Sequence, residues 1–340
     1  MTVPYNFPTS AMISLSNPHH ERNDTLYSFD AYQKKLVKLS LLDSAIIEIQ
    51  LNFDFDLDPY SFHYIGKDSI LFTTGNQLFL SDREGGIYHQ VGLFAGLNQI
   101  ENEVYQEYPY DGIASHLFYN WQSKSVLFYF AKRSQIDRRK VWAEINITNG
   151  AWKVFDAFHP EEYDGEALNY TTFPSPTWGP EGLYFQYSIA PIVSRVDTLN
   201  AKQHDFSIRS FDGVQFAEPQ TYREDWTSDY FENWVLTSPN YLKLIYDPFK
   251  KLFYRFSHPA LNTFPSAGED YYEYLIKNRE IHLTVLNENM EVVLNEELPK
   301  GKYDVAKSMV FSRGLLVPLE IGALQDEEKL YADLFQIVKD

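Results

Sequence analysis

The sequence predicts an all-β fold, a propeller of six small sheets, with five or seven sheets as the alternatives. Three observations carry that prediction. A unit of two short aromatic and branched runs around a polar turn keeps returning, and residues 116–131 (HLFYNWQSKSVLFYFA) lie over residues 242–257 (LKLIYDPFKKLFYRFS) almost residue for residue. Small sheets repeated in this way close into propellers. Tyr (25), Phe (25) and Trp (6) make up 16% of the 340 residues, a composition suited to pleated, half-buried surfaces. Helical periodicity is confined to short stretches near residues 97–106 and 322–330.

Each unit follows from runs rich in Val, Ile, Tyr and Phe bounded by Gly, Asn, Asp and Pro. Residues 11–51 supply MISLS, TLYSF, KLVKLSL and AIIEIQL. Residues 61–93 supply SFHYI, SILFTT, QLFLSD and IYHQVGL, with a turn at DREGG. Residues 113–156 supply IASHLFY, SVLFYFA, KVWAEIN and AWKVF, with Thr148, Asn149 and Gly150 as the last turn.

The unit at 171–236 is less regular. TFPSPTW, GLYFQYS and IVSRVD are followed by FSIRSF and an aromatic segment from Tyr230 to Leu236, one of which is a connector. Residues 240–298 open with the hairpin LKLIYD/LFYRFS, make a polar excursion over 258–278, and end with REIHLTVL and EVVLNEEL. Residues 305–338 hold VAKSMVF, GLLVPLE and LYADLFQIV, one strand short. An N-terminal strand such as 11–16 is expected to complete that unit and leave no open edge. Residues 1–340 then form one domain with a mean spacing of about 57 residues per unit, longer than familiar blade repeats because of insertions.

Composition excludes several classes. The chain carries 29 basic and 47 acidic residues, a formal charge of −18, with no basic tract, so nucleic acid is not an expected partner. The absence of cysteine removes disulfides, thiolate metal sites and cysteine nucleophiles. No signal peptide is visible in residues 1–20, and no 18-residue apolar run suggests a membrane span.

From Tyr246 to Phe256 (YDPFKKLFYRF) the chain resembles an uncharacterised family of TolB-like six-bladed propellers, domain of unknown function 4221, found as lipoproteins in Bacteroides-type bacteria. The resemblance rests on a Tyr-Asp turn followed by an aromatic-Tyr-Arg-aromatic strand, with blade order extending it over most of the chain. It implies a propeller fold and a periplasmic or cell-envelope location, without an established reaction, ligand or catalytic residue. The chain lacks the family's lipid-bearing cysteine and signal, so lipid anchoring is expected only if the native N-terminus has been trimmed.

Candidate sites are few. Asp247 precedes Pro248 and reads as a turn former. With a four-residue loop at 248–251, Arg255 lies across from Leu244 on the face of Phe253, where it is either paired structurally or ligand-facing; His258 accompanies it. Asp54, Asp56 and Asp58 place three carboxylates on one side of an extended chain, yet a calcium loop needs Gly and Glu where Pro59 and Ile65 stand. The nine histidines have no zincin spacing, and the G-x-S-x-G, Walker and G-x-G-x-x-G motifs are missing. No metal or cofactor is expected. Trp121, Trp178, Trp226, Tyr230 and Trp234 lie outside clear strand cores, where rings either pack or present a platform for recognition.

The function expected is non-enzymatic binding of a protein, peptide or glycan at the loop face. The alternative is a carbohydrate-active hydrolase or lyase whose carboxylates come from several blades around a central funnel.

Overall fold

A computed structural model describes residues 5–6, 11–15, 25–30, 34–40, 45–51, 61–66, 69–74, 77–82, 84–92, 118–120, 123–131, 139–158, 174–197, 202–209, 228–261, 263–266, 268–320 and 329–337. After β1 (Tyr5–Asn6), the first sheet holds β2 (Ala11–Leu15), β3 (Thr25–Asp30), β4 (Lys35–Ser40) and β5 (Ile46–Gln50). The second holds β6 (Ser61–Gly66), β7 (Ser69–Thr74), β8 (Gln77–Asp82) and β9 (Ile87–Gly92). The third is β10 (Phe118–Asn120), β11 (Ser125–Ala131), β12 (Arg139–Asn146) and β13 (Trp152–Phe158). The fourth is β14 (Pro174–Gly179), β15 (Gly182–Tyr187), β16 (Ile192–Asp197) and β17 (Lys202–Ser207).

Helix α1 (Ser228–Thr237) leads to the fifth sheet, β18 (Asn240–Asp247), β19 (Leu252–His258), β20 (Ile281–Asn287) and β21 (Val292–Leu298), with helix α2 (Tyr271–Asn278) between its second and third strands. Among the described residues the last sheet has three strands, β22 (Met309–Phe311), β23 (Gly314–Pro318) and β25 (Ala332–Phe335), while β24 (Lys329–Leu330) pairs with β1.

These small antiparallel sheets form a β-propeller. Middle strands bury both faces, so their runs are continuously apolar rather than alternating. In β15, Leu183 and Phe185 join Leu127 of the third sheet, while Tyr184 between them packs with Leu244 and Phe253 of the fifth. In β19, Phe253 faces the fourth sheet, whereas Tyr254 and Phe256 face Val310, Leu315 and Val317 of the last. Similar cores join the first sheet to the second, where Phe29 meets Phe72 with ring centroids 5.1 Å apart, and the second to the third. Each large side chain so buried contributes about 1.5–3 kcal/mol.

First strands of neighbouring sheets also touch: β2 with β6, β10 with β14, β14 with β18, and β18 with β22. Their backbone needs partners at that inner edge. Ser175 Oγ accepts from the Leu244 N–H at 3.0 Å, and Thr177 Oγ1 from the Tyr246 N–H at 3.1 Å, so hydroxyls of β14 satisfy β18 across the gap. Fourth strands lie outermost and are the most exposed, β21 above all.

Several expectations change. Strand 11–16 does not complete the last sheet: Ala11–Leu15 pairs with β3 in the first, and it is β1 that reaches the C-terminal segment. The fourth strand of the fourth sheet is Lys202–Ser207, earlier than FSIRSF, because an outer strand needs little apolar residue and KQHDFS gives no hydrophobic signal. Tyr230–Leu236 is the connector, and it is helical. The polar excursion contains α2, whose N-cap Asp270 accepts from the Glu273 N–H at 3.0 Å, a contact worth about 1 kcal/mol. Of the stretch 322–330, residues 329–330 are strand; 97–106 lies outside the described residues.

The repeated hairpin is real, with a shift. Anchored on the turns, Asn120 matches Asp247 and Lys124 matches Lys251, one residue away from the direct overlay of 116–131 on 242–257. Both lysines adopt positive φ, 51° and 57°.

Candidate functional site

Asp247 and Arg255 belong to the frame of the fifth sheet. The pairing Leu244↔Arg255 and Asp247↔Leu252 leaves a four-residue loop. Asp247 Oδ1 accepts from the N–H groups of Phe249 and Lys250 at 2.9 and 3.0 Å, and Oδ2 from the Tyr254 hydroxyl at 3.1 Å. Arg255 has no exposed surface. Its Nε donates to Gln186 Oε1 at 2.8 Å, its Nη2 to the Ala190 carbonyl at 3.4 Å, and its guanidinium lies 4.2 Å from the Tyr241 ring centre. Burial lowers its pKa to about 10, which leaves it charged at neutral pH. It locks the fourth sheet to the fifth.

Trp234 packs with Leu183, Phe185 and Tyr187, and Trp178 lies half-buried against the same cluster. Tyr230 opens α1. Trp121, Trp226 and the acidic run Asp54–Asp58 lie outside the described residues.

The end of the fifth sheet opposite the Asp247 turn is built differently. Because β18 begins and β19 ends there, α1 and α2 both lie at this end, packed through Leu236, Tyr271 and Tyr274. Arg279 fixes them. Its Nη2 donates to the carbonyls of Val235 and Ser238 at 2.8 and 2.7 Å and its Nε to that of Pro259 at 3.4 Å, a cation on the C-terminal carbonyls of α1. Burial lowers its pKa to about 10.

Beside Arg279 a cavity of about 190 Å³ opens between the fifth and last sheets. Leu242, Leu275, Ile276, Ile281 and Val305 give it an apolar wall, and His258, Arg279, Tyr303, Asp304 and Glu320 a polar one. Tyr303 is held by its hydroxyl, which donates to Asp333 Oδ2 at 2.8 Å, and Asp304 is paired with Lys307 at 2.7 Å. Lys243 spans the same gap, donating to the carbonyls of Ala306 and Ser308 at 2.5 and 2.8 Å.

His258 is neutral here. Its Nδ1 lies 2.5 Å from the Glu280 carbonyl, which can only accept, so Nδ1 carries the proton and Nε2 is an acceptor. Burial, and then the charge of Arg279, lower its pKa from 6.5 to about 3. The unfolded chain therefore takes up a proton between pH 6.5 and 3 that the folded chain refuses, and stability falls on acidification through that window. His258→Gln is expected to flatten this part of the stability profile, by up to about 1.4 kcal/mol per pH unit, in urea titrations at pH 7, 5.5 and 4.5.

No family model and no curated protein matches the chain. Among solved structures, it is similar to a crystal structure of a member of the DUF4221 family from Bacteroides vulgatus, with a TM-score of 0.72 and 18% identity over 99% of this chain and 96% of that one. The fold is that of a DUF4221 protein. The resemblance seen at Tyr246–Phe256 thus extends to the whole DUF4221 architecture. A luciferin-regenerating enzyme (TM-score 0.48, 10% identity, 100% and 99% covered) and regucalcin from Agrobacterium tumefaciens, a calcium-binding protein (0.42, 12%, 97% and 90%), are more distant and carry no argument about chemistry.

Sequence reasoning named His258 but missed Arg279 and the rest of the cavity. Its residues come from five segments between 242 and 320 and share no local motif. Among the described residues, no helix is long and apolar enough to cross a membrane.

Proposed function

We propose that this chain is a non-enzymatic interaction propeller that takes up one anchoring side chain of a protein or peptide partner between its fifth and last sheets. The observation that carries this reading is the cavity itself. Its volume of about 190 Å³ falls short of the roughly 300–1,000 Å³ of small-molecule sites. It suits a single large side chain, and an apolar wall edged by polar groups is the setting in which such anchors bind. Leu275, Ile276 and Val305 would meet an aromatic or branched residue, while Arg279 and the His258 Nε2 stand ready for the polar groups flanking it.

The three-stranded sheet β22, β23 and β25 is read as the sixth blade of a single domain, with the β1–β24 pair clasping its two ends. Resemblance to the family supports a periplasmic or cell-envelope location.

A displayed peptide library selected on the chain tests the proposal. Ile276 is 41% exposed, so Ile276→Lys is expected to leave stability within about 0.5 kcal/mol while weakening selected peptides at least tenfold. Selection yielding no binder, together with reproducible turnover of a glycoside, would instead favour the hydrolase.

A further inference from the structure

On the face of the fifth sheet turned away from the last one, three metal-ligating side chains converge. His282 on β20 and Glu297 on β21 are register partners, and Glu280 lies two residues before His282, which puts all three on one side of the sheet. One ligand atom from each falls within 4.8 Å of the others, and His282 Nε2 is 3.8 Å from Glu280 Oε2. Around a tetrahedral zinc with bonds of about 2.0–2.2 Å, neighbouring ligand atoms stand roughly 3.4 Å apart. Small side-chain rotations close that difference.

A second observation lies one rung deeper on the same face. Thr284 and Asn295 are register partners there, Thr284 is 1% exposed, and neither Thr284 Oγ1 nor Asn295 Oδ1, both buried, has a partner among the described residues. Buried oxygens in this state are ordinarily met by ordered water, and a metal-bound water would supply it. Lys300 donates to the outer oxygen of Glu280, Oε1, at 2.7 Å and leaves Oε2 turned to His282.

We propose that Glu280, His282 and Glu297 bind a divalent transition-metal ion of the zinc class. One imidazole and two carboxylates suit zinc better than calcium or magnesium, which take oxygen ligands alone. Three protein ligands leave a fourth position for water. The ion would clip the segment after α2 to the outermost strand of the sheet, with no requirement that the cavity bind a partner.

Titration calorimetry of zinc chloride into the chelator-treated full chain, repeated with His282→Asn, Glu297→Gln and Lys300→Ala, tests this. One site is expected, weakened at least tenfold by each of the first two changes and tightened by the third, which removes a competing ammonium. Glu297 is exposed, so Glu297→Gln serves even if His282→Asn disturbs folding. Absence of binding, or zinc affinity within twofold of the parent in both His282→Asn and Glu297→Gln, overturns the proposal; in the latter case the metal sits on other histidines.

Discussion

Arg255→Ala is expected to lower the unfolding free energy by about 2–4 kcal/mol, from the void left by a large buried side chain and from buried acceptors that lose their donor. The side chain is wholly buried between the fourth and fifth sheets, and among the described residues no carboxylate pairs with it. Its charge is accommodated instead by Gln186 Oε1, the Ala190 carbonyl and the face of Tyr241. Truncation would strand Gln186, which is itself 0% exposed, and open a void beside Tyr241. Lysine keeps the charge but loses the Nε–H and the planar stack, so Arg255→Lys should show most of the same loss. Urea unfolding measures both. A loss under about 1 kcal/mol for Arg255→Ala, the level of ordinary surface changes, would mean that the guanidinium does not lock these sheets.

Asp247→Ala should cost about 2–4 kcal/mol, since two backbone N–H groups and a tyrosine hydroxyl lose one shared acceptor. The carboxylate is fully buried, so water cannot replace it without rearranging the turn. Asn keeps an oxygen for the two N–H groups, and the Tyr254 hydroxyl can turn to accept from the new amide. Asp247→Asn is therefore expected to retain more than half of the lost stability. Equal losses for the two variants in the same urea experiment would show that charge, rather than acceptor placement, matters at this turn.

Much of the fold was legible because each blade repeats the same physical problem. Middle strands such as SILFTT and GLYFQYS are apolar on both faces because each is covered twice, and those runs stand out. Turns are legible for a related reason. Asp82, Asn146 and Asn287 each close a hairpin between third and fourth strands with a side-chain oxygen accepting from N–H groups two to four residues on. Gly182 and Gly314 open second strands at φ 142° and 147°, where a Cβ would strike the backbone of the neighbouring strand.

The misses share a cause as well. The outer strand Lys202–Ser207 and helix α1 are set by where they sit in the ring, which a local pattern does not encode. Asp270 and Glu273 did carry a legible helix start, hidden inside a stretch that read as polar loop. The Arg279 cavity and the Glu280–His282–Glu297 cluster depend on strand register and on contacts between distant segments. Alternation in IHLTVLN shows that His282 and Thr284 share a face, while only pairing with β21 brings Glu297 beside them.

The most direct test of the binding proposal is hydrogen exchange by mass spectrometry with and without a selected peptide. The account predicts added protection in residues 271–281 and 301–306, the two walls of the cavity, with little change at the 247–252 turn on the opposite end of the sheet. Protection concentrated at that turn, or spread evenly over the sheets with none in 271–281, would contradict it.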